Sequence, residues 1–223
     1  MKSFKEFTQY VLEAIEAPAG SKRTQLTLKD FDPERDEDKR ATTLGTYRNS
    51  AAFLKDKLPE NSTVLDYGAG AGQGAQIMRK KLPGHKVETY EPQPEGWKPD
   101  YENSDDIKTQ VDALTAHNLL NAVPKNIRGE VTDHMLSLVR PGGHIITNAR
   151  KWKGDVQNSE GKGKNKPGDE DKSMLVHDKK TDSYTFHKGF DGNDLLDHMK
   201  SHDPEGNFEF KRNGDRVIGK RIK

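Results

Sequence analysis

The stretch "VLDYGAGAGQGAQIM", Val64–Met78, places four glycines in seven positions between a strand-like apolar run and a helix-like one. Glycine has no Cβ and reaches positive φ, so such a junction lets a ligand lie against bare backbone. A helix starting near Gly72 aims its first free N–H groups at the same spot. In an open parallel sheet, ligands bind beyond the carboxyl ends of the strands. Here the strand ends at Asp66 and Tyr67. Read alone, the run is equally a turn that binds nothing.

Working outward, the chain alternates. "ATTLGTYRNSAAFLKDKL" (41–58) reads as a helix stopped near Pro59, "STVLDYG" as a strand and "GAQIMRKKL" as a helix. "KVETYEP" is a second strand, "VDALTAHN" another, and "NIRGEVTDHMLSLV" a helix with Val131, Met135, Leu138 and Val139 at apolar positions. "PGG" (141–143) is a tight turn before the strand "HIITNAR". No clear strand falls between "KVETYEP" and Val111. Strands alternating with helices predict an α/β fold, a Rossmann-like doubly wound sheet. "MLVHDKKTDSYTFHKGF" reads as a hairpin, and "DGNDLLDHMKSH" as a helix with Asp191 as its N-cap. "NFEFKRNGDRVIGKRIK" closes as two strands joined at "NGD", a strong hairpin signal that predicts an antiparallel C-terminal strand. Residues 1–25 form a separable helix and linker, 26–223 the main domain, and 151–173 a polar, flexible insertion loop.

Composition narrows the function classes. Of 223 residues, 30% are hydrophobic and 33% charged, and 37 basic against 36 acidic side chains leave a net charge of +1. That balance argues against a surface given over wholly to nucleic acid or membrane. The absence of cysteine excludes disulfides, thiolate catalysis and cysteine-held metals. The histidines show no metal-binding spacing, and no apolar run approaches the roughly 20 residues of a membrane helix. A cytoplasmic protein with no membrane partner is the expectation.

Two cofactor classes use a glycine-rich strand–helix junction. A dinucleotide would take Gly70, Gly72 and Ala75 as GxGxxA, which sets Asp66 beside a pyrophosphate, and like charges in a dry pocket repel. S-adenosylmethionine (SAM) has no phosphate and carries an ammonium and a sulfonium, so an acid at the strand end becomes an asset. The series Asp66, Gly68, Gly70, Gly72 resembles the first motif of class I SAM-dependent methyltransferases, D/E-x-G-x-G-x-G. Glu91 stands where that family's second acid clasps the ribose, and Asp106 with Ile107, in "SDDI", where it contacts adenine. Asn118 stands at the rim of the strand similar to the family's fourth. The resemblance implies SAM as cofactor, Asp66, Gly68, Gly70, Gly72, Glu91, Asp106, Ile107 and Asn118 as its contacts, and methyl transfer to an acceptor that is a small molecule, a protein or a nucleic acid. The strand-four region lacks the N/D-P-P-Y/F signature of many DNA amino-methyltransferases. No catalytic residue or metal ligand is singled out, and oligomeric state is unspecified.

Other residues stay open between two readings. His117 is a general base or a hydrogen-bonded structural histidine; Asn118 and Asn121 hold substrate or a loop; Arg150 and Trp152 touch substrate or form a surface pair. The lysines of 151–166 sit among acids that dilute their charge. The opening "MKSFKEFTQYVLEAIEA" (1–17) resembles the head-packaging tags of T-even-type phages, with "AIEA" as the cleavage site after Glu16. A helix covering the core is the other reading. The function alternatives are a non-catalytic SAM-binding phage effector and an NAD-dependent oxidoreductase.

Overall fold

The computed structural model describes residues 41–94, 96–178 and 183–223. The opening helix, the packaging-tag motif and the "KKTD" turn lie outside those residues. The main sheet has six strands in the order β2-β1-β3-β4-β9-β8. Strands β1 (Thr63–Tyr67), β2 (Lys86–Tyr90), β3 (Val111–His117) and β4 (Val139–Asn148) run parallel. The hairpin of β8 (Phe208–Asn213) and β9 (Arg216–Arg221) adds the antiparallel edge through β9 on β4. Its turn falls at Gly214 and Asp215, as "NGD" predicts. This is the expected doubly wound sheet with an antiparallel end.

Strand alternation sorts the core into two layers. Val64, Ala113 and Ile146 face one side, where helix α1 (Ala41–Lys55) and helix α2 (Gln73–Lys81) supply Leu44, Leu54, Ala75 and Met78. Leu65, Leu114 and Ile145 face the other, packing against Val131 and Met135 of α3 (Lys125–Leu138) and Leu195 and Met199 of α4 (Asp194–Ser201). Every residue of β3 is buried, as expected of a parallel strand covered on both faces. The same period of two fixes the polar residues. Asp66, Thr115, His117 and Asn148 share parity with Val64, Ala113 and Ile146, so they lie on the α1 side at the carboxyl rim.

Two local readings change. The "PGG" turn is a bulge within β4, where the register jumps from Val111↔Val139 to Ala113↔His144. Asp191 does not cap α4, whose N-cap residue is Asn193; its Oδ1 instead accepts the amides of Trp152 and Lys153 at 3.1 and 3.3 Å. No strand intervenes between β2 and β3 among the described residues, and Tyr101 makes only an isolated bridge to Tyr90.

The insertion 151–173 contributes β5 (Lys166–Pro167) to a second sheet with β6 (Ser173–Asp178) and β7 (Ser183–Lys188), ordered β5-β6-β7. It is tied to the core at Glu170, whose carboxylate meets the Arg128 guanidinium in a two-pronged ion pair. Arg128 also donates to the carbonyls of Leu120 and Val123, at 2.8 to 3.1 Å. No helix of the described residues is long and apolar enough to cross a membrane.

Candidate active site

The glycine turn leaves β1 at its carboxyl end. Gly68, Gly70 and Gly72 have φ of +76°, +58° and +75°, the left-handed region that side chains disfavour. Their surroundings differ. A Cβ on Gly72 would meet the Trp97 ring at 3.2 Å, and one on Gly74 would strike the Tyr47 ring at 2.1 Å. One on Gly70 would meet nothing within 4 Å. Gly74 therefore admits Tyr47 from α1 to the strand end, and Gly70 is the position where backbone faces open space.

Two carboxylates flank that position. Glu91, just past β2, accepts the Gly70 amide on Oε2 at 2.7 Å and the Gln93 amide on Oε1 at 3.1 Å. The Gly70 carbonyl accepts the Trp97 indole N–H at 2.9 Å. Asp66 is wholly buried. Its Oδ1 accepts the Thr115 hydroxyl at 3.1 Å, while its Oδ2 has no partner of good hydrogen-bond geometry. Burial pushes the Asp66 carboxyl up to about 7; the Thr115 and Tyr47 hydroxyls pull it down, and the charge of Glu91 opposes them. Burial and the adjoining Asp66 hold the Tyr47 phenol well above its ordinary value.

The rim of β3 carries His117, also buried. Its Nε2 pairs with the Ser50 hydroxyl at 3.1 Å and its Nδ1 with Asn148 Oδ1 at 2.8 Å. Since an amide oxygen only accepts, Nδ1 carries the proton and Nε2 takes the serine hydrogen. Tyr47 meets the ring edge-on, with centroids 4.6 Å apart. Burial lowers the imidazole to about 4, partly offset by the Asn148 bond and reinforced by the Arg216 charge. A neutral ring with both nitrogens engaged holds the rim together and is a poor base.

Of the residues expected from sequence, the structure gathers Asp66, Gly68, Gly70, Gly72 and Glu91 around one turn. Asn118 stands at the same rim with φ +55°, its amide on the Asn148 carbonyl at 3.0 Å. Asp106 and Ile107 do not join them by hydrogen bonds. Asp106 is exposed in the turn Ser104–Asp106, and Ile107 is buried in the hydrophobic layer that includes Tyr67 and Tyr90. Asn121 holds loops, its carbonyl accepting the Lys188 amide at 2.7 Å. Sequence reasoning missed Tyr47, Trp97, Thr115 and Asn148.

A family model described as a methyltransferase domain matches residues 37–162, more than half the chain. The protein therefore belongs to the methyltransferase-domain family. Among curated proteins none matches significantly. Solved structures with the same fold include a SAM-dependent methyltransferase of Clostridium acetobutylicum (15% identity, 84% of this chain and 95% of that one, TM-score 0.55). The plantazolicin methyltransferase BpumL, solved with SAH, shares 12% identity over 99% of this chain and 100% of its own, with a TM-score of 0.57. A Burkholderia thailandensis 1,6-didemethyltoxoflavin-N1-methyltransferase shares 15% identity over 85% and 84% of the two chains, with a TM-score of 0.53.

Proposed function

We propose that this methyltransferase uses SAM and that the turn from Asp66 to Gly72, closed by Glu91, is where SAM binds. One observation carries the reading: the glycine turn that leaves β1 just after the buried carboxylate of Asp66 opens to space at Gly70, whose amide the Glu91 carboxylate accepts at 2.7 Å. A buried anion of this kind suits a cation and disfavours a pyrophosphate, which weighs against the NAD reading. Asp66 and the Gly68–Gly72 backbone would hold the cationic amino-acid end, and Glu91 the ribose hydroxyls.

SAM held there would supply an activated sulfonium methyl for transfer to a nucleophilic acceptor. The protein's own part is positioning and exclusion of water. Trp97 packs against the turn at Gly72 and Tyr47 at Gly74, and the Ser50–His117–Asn148 chain fixes the rim of β3. His117, with both ring nitrogens hydrogen-bonded and its basicity lowered by burial, is a poor base for proton removal.

Isothermal titration with SAM, S-adenosylhomocysteine and NAD tests the assignment. Saturable binding of the first two and none of NAD is expected; NAD binding without SAM binding would overturn it. Transfer of a labelled methyl group from SAM to lysate fractions separates catalysis from the SAM-binding effector reading, which tight binding without transfer would favour.

A further inference from the structure

The two edges of the main sheet are finished differently. Along β2 the outward backbone groups are taken. The Val87 carbonyl accepts the Arg79 guanidinium at 2.9 and 3.2 Å, and the Thr89 amide donates to Asp100 Oδ2 at 2.9 Å. Tyr101 occupies the Thr89 carbonyl and the Glu91 amide at 3.0 and 3.1 Å. Strand β8, at the other edge, pairs only with β9 among the described residues. The Ile222 amide donates to the Asn207 carbonyl, so the odd-numbered residues of β8 turn their backbone to β9. Phe208, Phe210 and Arg212 turn theirs outward. Asp203 Oδ2 caps the Phe208 amide at 2.8 Å. The Phe208 carbonyl and both backbone groups of Phe210 and Arg212 have no partner among the described residues.

An open edge is a template for another strand, and charged side chains commonly blunt it. Here the charges suit a second copy of the same strand. Alternation sets Glu209 and Lys211, both exposed, on one face and Phe208, Phe210 and Arg212 on the other. An antiparallel copy centred on Phe210 places Phe210 opposite Phe210 and Glu209 opposite Lys211, twice over by symmetry. Moving the centre one residue either way sets Lys211 against Lys211 or Glu209 against Glu209. The favoured register also matches the free backbone. The two Phe210 residues exchange both of their bonds, and each Arg212 amide reaches the facing Phe208 carbonyl. The Phe210 ring is already held by its own sheet: it stacks on Phe208 with centroids 5.4 Å apart and lies over Gly219, where a Cβ would come within 2.6 Å of it.

We infer that β8 is a homodimer edge, where two copies pair antiparallel about Phe210 and join their six-stranded sheets into one. The two-fold axis stands perpendicular to the sheet, so the carboxyl rims point in opposite directions and both glycine turns stay open. Because the β2 edge is taken, the pairing closes at two copies and does not propagate. None of this depends on which cofactor the turn holds.

Sedimentation equilibrium of the full chain is the test. A monomer–dimer equilibrium is expected, with a dissociation constant on the order of 10–100 µM for so small an interface. Glu209→Lys and Lys211→Glu each create two like-charge pairs across the axis and should weaken the dimer about tenfold. Combining the two substitutions in one chain restores the opposite pairs and should recover affinity to within about threefold of native. An equimolar mixture of the two single variants should form heterodimers just as well. Both positions are exposed, so the fold should survive, and SAM affinity should stay within about twofold. Amide hydrogen exchange at Phe210 and Arg212 should slow as the native dimer forms. A chain that stays monomeric to about 500 µM overturns the inference, even if the edge takes an added extended peptide. So does a dimer indifferent to both single substitutions, or one that the combined substitution does not recover.

Discussion

Replacing Asp66 by asparagine separates what the carboxylate does for the fold from what it does for the cradle. In the folded protein the group titrates at about 7 instead of 3.8, chiefly because burial penalises its charge. The folded state therefore keeps a proton that the unfolded chain releases between about pH 4 and 7. Stability must fall as pH rises through that window and level off above it. A displacement of about three pH units, at 1.36 kcal/mol each, gives roughly 4 kcal/mol as the upper bound of the loss at pH 8. An amide does not ionise, and its oxygen can still accept the Thr115 hydroxyl. Asp66→Asn should accordingly be more stable than the native protein by about 2–4 kcal/mol at pH 8, with the gap closing on acidification and gone near pH 4. Urea denaturation from pH 4 to pH 8 measures the gap directly. SAM affinity should meanwhile fall at least about tenfold, because the variant offers the cation a dipole in place of a charge. A variant less stable than native at pH 8, or a gap independent of pH, would refute the reasoning.

Three further outcomes follow from the same geometry. SAM affinity in the native protein should weaken about tenfold between pH 8 and pH 6, because Asp66 must lose a proton to meet the cation; flat calorimetric affinity across that range would contradict it. Glu170→Ala strands Arg128 in a buried setting and should cost about 3–5 kcal/mol in urea unfolding, and a loss under about 1 kcal/mol would show that the insertion is not anchored there. In a Trp152→Phe background, Trp97 emission should shift saturably with SAM, since its indole is bonded to the Gly70 carbonyl; calorimetric binding with silent fluorescence would remove Trp97 from the site.

How far the chain reads itself depends on whether the signal is local. Val64 to Tyr67, Val111 to His117 and the "NGD" hairpin carry period and turn chemistry within a few residues, so the sheet and its antiparallel edge are legible. The Asp66–Gly72 turn and Glu91 are legible for the same reason: a strand end followed by glycine is a local pattern. Tyr47 is not, because on α1 it shares a face with Leu44, Ala51 and Leu54 and reads as core. Its clue lies 27 residues away (74 − 47) at Gly74, where a missing side chain makes room for a ring. Trp97 sits in an irregular "PQPEGWKPD" run with no period to read. Glu170 looks like one more solvated acid in a polar insertion, since only the fold brings Arg128 to it. The "PGG" reading errs in kind: proline and glycines mark a break in regular backbone, and a strand bulge is as good a break as a turn.

The two ionisable groups at the rim, Asp66 and His117, are displaced in opposite directions, to about 7 and about 4. Burial does both, since it disfavours a charged carboxylate and a charged imidazole alike. Between those values Asp66 and His117 both favour their uncharged forms, with Tyr47 in contact with both residues. A cation arriving at Asp66 changes that state by favouring the ionised carboxylate. The linkage is reciprocal: binding that releases the Asp66 proton tightens as pH rises, and it must lower the pKa of that carboxyl by the same free energy.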